Sequence, residues 1–352
     1  MYSFLEIISE ALKQEASDIF IVPGQPPSYK KGKDIYMLSD EKILPASSEE
    51  FIREAYEAAH RSMDTLFQTG DDDFAISLPH LSRLRINAYK QRGSFAAVLR
   101  VVCFGIPDYK KLGIPESIMD LSKTKKGMIL ITGSAGTGKS TTLACIIDRI
   151  NRTRSGHIIT LEDPIEFIHH HEKSIVSQRE IGIDTEDYIL ALRSSLRQAP
   201  DVILVGEMRD HETIRIAMTG AETGHLILSS LHTIGAVNTI DRIIDVFPHN
   251  QQPQIRIQLA SLLQTVVSQQ LVPTVDDGLA LALEIMHVNP AIRNMIRESK
   301  VHQIETVMGM SADSGMITMD QSLFQLYQAG RITKDTALQY ALHPEILEKR
   351  LK

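Results

Sequence analysis

Residues Gly133 to Ser140 read GSAGTGKS, a full match to G-x-x-x-x-G-K-[ST]. These residue types are what a polyphosphate chain needs. Gly133, Gly136 and Gly138 free the backbone for turns in which successive amide hydrogens point inward at phosphate oxygens. Ser134, Ala135 and Thr137 complete the cradle. Lys139 brings a positive charge for the terminal phosphates, and the Ser140 hydroxyl is placed to ligate Mg2+. Thr141 follows in the first turn of a helix whose dipole favours an anion. The chemistry indicated is the binding of a nucleoside triphosphate.

Three further polar clusters lie beside strand-like runs. The segment Thr160-Leu161-Glu162-Asp163-Pro164-Ile165-Glu166 offers three carboxylates, any of which could orient and deprotonate a water or hold a metal-bound one. Asp163 would equally cap a turn before Pro164, and Glu166 would equally be a solvated charge. Asp201-Val-Ile-Leu-Val-Gly206-Glu207 has the four apolar residues and terminal acid of a Walker B strand. Gly206 stands where many such strands carry Asp, which leaves Glu207 as the acid at the tip. In Thr223 to Thr233, His225 and His232 flank the run Leu226 to Ser229 and point to sensing of a γ-phosphate. The adjacent His169, His170 and His171 cannot all face one ion from a regular element, and they read as surface. Arg83, Arg85, Arg92 and Arg100 are the remaining candidates, with Arg83 and Arg85 on one face of a strand.

Elements able to position these groups are legible around them. The apolar runs Met128 to Thr132, His157 to Glu162, Val202 to Val205 and Leu226 to Ser229 predict buried strands of a parallel sheet. Between the first two, Leu143, Ile146, Ile147 and Ile150 mark one face of a helix. Upstream, helices are expected over Ser3 to Ala16 and Ser48 to Gln68, with strands at Asp18 to Val22, Asp73 to Leu78, Ser82 to Gln91 and Phe95 to Val102. After Val272 the chain is expected to be mainly helical. These patterns divide the chain into an N-terminal α+β module over 1–102, a linker over 103–115 and an α/β domain over 116–352.

A length of 352 residues allows two domains and a large core. Net charge −7 argues against a general nucleic-acid binder, which needs clustered Lys and Arg. Cys103 and Cys145 alone can build neither a disulfide framework nor a four-cysteine zinc site. The acidic residues within MYSFLEIISEALKQEASD speak for an amphipathic helix rather than a signal peptide, and no apolar run is long enough to span a membrane.

Together, ITLEDPIEF (Ile159 to Phe167), LRQAPDVILVGEMRD (Leu196 to Asp210), TGHLILSSLHT (Thr223 to Thr233) and TIDRIIDVFP (Thr239 to Pro248) resemble the Asp box, atypical Walker B, His box and following segment of the secretion and pilus-motor ATPases. The order is the same, and the closest likeness is to the twitching-motility retraction ATPases of type IV pili, the PilT family. Ala291 to Glu298, AIRNMIRE, is similar to a signature of that branch, with Arg293 and Arg297 as a basic ridge beside Ile292, Met295 and Ile296. The resemblance runs from about Asp73 onward and is looser before it.

It implies an α/β fold in which an N-terminal PAS-like α+β domain precedes a RecA-like P-loop ATPase domain with a helical C-terminal part. It implies ATP and Mg2+, with Lys139 and Ser140 on phosphate and metal, Glu162 as catalytic carboxylate and Glu207 on the metal's water shell. His225 and His232 would report nucleotide state, and Arg85 and Arg100 would reach the phosphates. The implied assembly is a homohexameric ring, cytoplasmic and docked at the inner face of the membrane. Its partner there is a pilus platform protein, and through it, indirectly, pilin. An assembly or type II secretion ATPase is the nearest alternative. A nucleic-acid translocase and a slowly cycling nucleotide-binding regulator are the others.

Overall fold

Apolar residues that recur every three to four positions make helices here, and those that alternate or run together make strands. In the computed structural model, which describes residues 3–78, 81–310 and 315–351, these patterns build an α/β chain of two compact units. The first comprises Met1–Gly105 with Glu166–Ile168, the second Ile106–Ile165 with His169–Lys352.

In the first unit, β1 (Asp18–Ile21), β2 (Ser28–Lys31), β3 (Asp34–Met37), β4 (Asp71–Leu78), β5 (Ser82–Gln91) and β6 (Ser94–Phe104) form a sheet in the order β3-β2-β1-β6-β5-β4, all pairs antiparallel. The short β9 (Phe167–Ile168) adds to the end of β6 in parallel. Ile19, Ile21, Phe74, Ile76, Leu84, Ile86 and Leu99 share a core with Ile7 and Ile8 of helix Phe4–Lys13 and Phe51 and Ile52 of helix Pro45–Ala58. The first of these helices starts at a capping box made by Ser3 and Glu6. The helix expected over Ser48 to Gln68 is two, because the chain reverses at His60, which takes φ 51°, and resumes helix at Asp64–Thr69.

In the second unit, β7 (Gly127–Thr132), β8 (His157–Glu162), β10 (Ile175–Glu180), β11 (Val202–Val205), β12 (Leu226–Leu231), β13 (Leu263–Pro273) and β14 (Leu279–His287) pair in the order β10-β8-β11-β12-β7-β13-β14. All neighbours are parallel except β13 and β14. Met128 and Leu130 enter one core with Ile240 and Ile243, whereas Ile129 and Ile131 enter another with Leu143, Ile146 and Ile147. Helices therefore cover both faces, which is why β7 and β11 are buried on both sides and apolar rather than alternating.

The expectation of mainly helix after Val272 needs correcting at β14, whose Leu-Ala-Leu-Ala-Leu run favours helix locally but is held as strand by nine register pairs to β13. Residues 106–115, read as linker from their Pro and Gly content, belong to the second unit, where Ile114 is buried and Ile106 and Tyr109 pack on its core. Among the described residues no helix is long and apolar enough to cross a membrane.

Candidate nucleotide-binding and hydrolysis site

β7 is buried along its whole length and delivers the chain at its carboxyl end to the loop 133–138. Gly133 takes φ 144°, and a Cβ there would lie only 2.3 Å from the carbonyl oxygen of Gln269, so only glycine fits. Gly138, at φ 80°, turns the chain into helix Lys139–Thr153 with no side-chain cap on its first N–H groups. Those amides and the helix dipole are what an anion would meet. Ser134, Ala135 and Gly136 are exposed at the loop's crest, Thr137 is buried, and Ser140 and Thr141 are half-buried in the first turn. Lys139 Nζ folds back over the loop and donates to the carbonyl oxygens of Gly133 at 2.9 Å and Ser134 at 2.8 Å.

Parallel register brings three of the sequence clusters to this same edge of the sheet. Leu161 pairs with Val205, and Leu231 with Thr132, so Glu162, Gly206 and His232 all emerge beside the loop. Glu162 Oε1 accepts from Thr160 Oγ1 at 2.6 Å and from Gln178 Nε2 at 3.3 Å. Asp163 and Glu166 are exposed.

Glu207 is largely enclosed and accepts from Arg209 Nη2 at 2.5 Å through Oε1, while its Oε2 meets His232 Nε2 at 3.3 Å. Lys139 Nζ lies 3.5 Å from the other imidazole nitrogen, Nδ1. An ammonium can only donate, so Nδ1 must accept and Nε2 carries the hydrogen that Glu207 receives. Lys139, His232, Glu207 and Arg209 thus form one chain of alternating charge and dipole. The hydroxyl of Ser140 and the carboxylate of Glu207 are hard oxygen donors of the kind Mg2+ takes alongside water and phosphate. Among the described residues no cluster of three His, Cys, Asp or Glu side chains competes for a metal.

The glycine in the Walker B strand has a steric cause. A Cβ on Gly206 would stand 3.0 Å from the Tyr188 hydroxyl oxygen and 3.1 Å from the Leu161 carbonyl oxygen. Tyr188, which the motifs do not reveal, opens the helix Tyr188–Ser195 behind its Asp187 cap. Its hydroxyl is pushed well above the usual tyrosine range by burial and by the carboxylates of Glu207, Asp163 and Glu162. Gln269 was missed too. The sequence signal for it is the run Ser268-Gln269-Gln270 between Val266-Val267 and Leu271-Val272.

Two expectations need correction. His225 is not brought to the loop: it precedes β12, its backbone carbonyl bonds Gly127 N at the start of β7, and its Nδ1 lies 2.9 Å from the Gly220 carbonyl oxygen. That is the opposite edge of the sheet, roughly 20 Å away along a strand rising about 3.3 Å per residue. The second concerns the histidine run. His169 is buried and pushed down to about 4 by that burial, while only His170 and His171 are surface residues.

Arg85 and Arg100 lie in the first unit, facing each other across β5 and β6. Arg85 bonds Asp73, and Arg100 bonds Asp18. In helix Pro290–Arg297, Ile292 and Ile296 are fully buried, Arg293 Nε donates to the Ala260 carbonyl at 2.9 Å, and Arg297 is exposed.

Comparison with known proteins agrees with this geometry. Residues 71–289 match the family model for type II/IV secretion system proteins. A type IV pilus retraction ATPase, PilT, of Pseudomonas aeruginosa is 40% identical over 97% of this chain and 98% of its own length. A twitching motility protein of Neisseria gonorrhoeae is 46% identical over 78% of this chain and 73% of its own. A crystal structure of the pilus retraction motor PilT with bound ADP superposes with TM-score 0.90 at 45% identity, covering 99% of this chain and all of that one. With a phosphate loop, an acid-tipped strand and a His232 relay at one sheet edge, this chain belongs to the type II/IV secretion system protein family and, within it, to the PilT family of P-loop ATPases.

Proposed function

We propose that this chain hydrolyses ATP as the motor of type IV pilus retraction. The observation that carries the reading is the linkage of Lys139, on the phosphate loop, through His232 to Glu207, because it ties the nucleotide site to the residues that leave β12 and β11 at their carboxyl ends.

The loop amides of 133–138 and Lys139 bind the phosphates. Ser140 and Glu207 would hold Mg2+, which when bound would supply positive charge against the phosphate oxygens. Glu162, steadied by Thr160 and Gln178, orients the attacking water and takes its proton. His232 reads the terminal phosphate from beside Lys139, and the change is passed to Glu207 and Arg209. Arg85 and Arg100 reach the phosphates of a neighbouring subunit from an N-terminal PAS-like module, residues 1–102, joined through 103–115 to a RecA-like motor domain with a helical C-terminal part, 116–352.

Six copies form the working ring, which acts on a platform protein at the cytoplasmic face of the membrane and so withdraws pilin. Arg297, with Arg293 beside it, lies on the surface suited to that contact. The two cysteines in the sequence cannot form the four-cysteine zinc insertion of assembly and secretion ATPases, which favours retraction over assembly.

The test is steady-state ATPase activity of wild type beside Glu162→Gln, with oligomeric mass measured on the same preparation. Turnover in a six-subunit species that is lost in the variant supports the motor. Full turnover in the variant would remove Glu162 from its role.

A further inference from the structure

Three consecutive polar residues, Ser268, Gln269 and Gln270, stand in β13, and each meets a different element. Ser268 Oγ accepts from Gly235 N at 2.9 Å, just beyond the His232 loop, and Gln270 Nε2 donates to the Tyr340 carbonyl at 3.1 Å. Gln269, between them, is 1% exposed and turns to the phosphate loop. Its Nε2 donates to the Thr137 carbonyl at 2.5 Å, and its Oε1 accepts from Thr142 Oγ1 at 3.1 Å. Its own carbonyl oxygen is the atom that a Cβ on Gly133 would strike. One residue, more than a hundred positions downstream, therefore lies close against the loop's first glycine and bonds the chain just before its last glycine and in the first turn of the following helix.

Burying an amide in the middle of a sheet costs free energy unless both of its ends are bonded, and an aliphatic residue would suit the strand better. What the amide contributes is shape. A loop with three glycines has many accessible backbone states, and only a narrow set aims successive N–H groups at one point. We propose that Gln269 is a positioning residue for the nucleotide, holding the phosphate loop in the curvature that receives a polyphosphate. The inference rests on the reading of residues 133–140 as the ATP site.

The test uses the full chain, as wild type, Gln269→Leu, Thr142→Val and the double variant. A fluorescent ADP analogue with magnesium is titrated, ATP turnover is assayed, and thermal midpoints are taken without nucleotide. Gln269→Leu is expected to weaken binding and raise KM for ATP by about tenfold, equivalent to ~1.4 kcal/mol, with a much smaller change in kcat. Thr142→Val is expected to produce part of that loss, and the double variant to be little worse than Gln269→Leu, because both remove the same tether.

Gln269→Leu that melts earlier yet binds nucleotide and turns over ATP with unchanged constants would overturn the proposal and leave Gln269 a packing residue. If that variant does not fold, Thr142→Val decides: unaltered affinity overturns the proposal and weakened affinity supports it. Wild type that fails to bind the analogue would overturn both this inference and the reading of the loop beneath it.

Discussion

Arg85 and Arg100 stand directly opposite each other in register on β5 and β6. Like charges in opposed positions repel, and each guanidinium is held by a carboxylate from the strand on its outer side. Asp73 of β4 takes Arg85 Nε at 3.1 Å and Nη2 at 2.7 Å, and Asp18 of β1 takes Arg100 Nε at 3.0 Å. Asp18 is nearly enclosed, at 11% side-chain exposure, while Arg100 is 72% exposed. The acid is anchored and the guanidinium is displayed.

Paired surface charges of this kind contribute little to stability, about 0–1 kcal/mol. Arg85→Ala, whose partner Asp73 is exposed, should therefore leave the denaturation midpoint nearly unchanged, whereas Arg100→Ala strips the enclosed Asp18 carboxylate of its guanidinium and should cost about 1–3 kcal/mol. If these arginines reach a neighbour's phosphates, turnover in the assembled protein should fall by roughly a hundredfold or more. Wild-type turnover in both variants would reduce the pair to a strand-surface salt bridge.

His232 accepts from Lys139 and donates to Glu207. Gln at 232 can still offer an N–H towards Glu207, whereas Ala cannot. His232→Ala should lower kcat by on the order of a hundredfold, with His232→Gln recovering part of it. Equal activity in the two variants would mean that the donated hydrogen bond does not matter.

Gly206 is bounded by Tyr188 and the Leu161 carbonyl. Gly206→Ala should destabilise the protein by about 1–3 kcal/mol through overpacking. The same change made together with Tyr188→Phe should cost less, since the hydroxyl it strikes is gone. A denaturant double-mutant cycle measures this, and additivity of the two changes would show that Tyr188 is not the obstacle.

Arg297 is exposed beside the fully buried Ile292 and Ile296. Arg297→Ala should retain most ATPase activity while impairing retraction in a twitching assay. Unchanged motility would demote this ridge to ordinary helix surface.

His343 is raised above its ordinary value chiefly by its hydrogen bond to Glu305, with Asp320 and Glu284 adding to it against the effect of burial. A histidine raised on folding stabilises fully below its unfolded value near 6.5, and the contribution fades as pH climbs through the higher folded value. The packing of Glu305, on helix Ile304–Gly309, against His343 should loosen as pH rises from about 6.5 through that higher folded value. Thermal melts across pH should show the slope, and His343→Gln should flatten it; an unchanged slope in the variant would assign it to another group.

The sequence by itself determined the phosphate loop, the acid-tipped strand, the carboxylate cluster at Glu162 and the strands that carry them. In each case the chemistry sits within a few residues of the backbone geometry that presents it, so spacing is enough. The single helix read over Ser48 to Gln68 failed because a reversal at His60 leaves no Gly or Pro to announce it. Only the tertiary structure decided that His232 joins Lys139 to Glu207 while His225 falls at the far edge, since both flank one strand and a strand has two ends. It alone brought Gln269 against the loop and Tyr188 against Gly206, and it held a Leu-Ala repeat as β14. Those outcomes depend on which strands become neighbours and in what register, and burial against residues far away in the chain overrides local preference there.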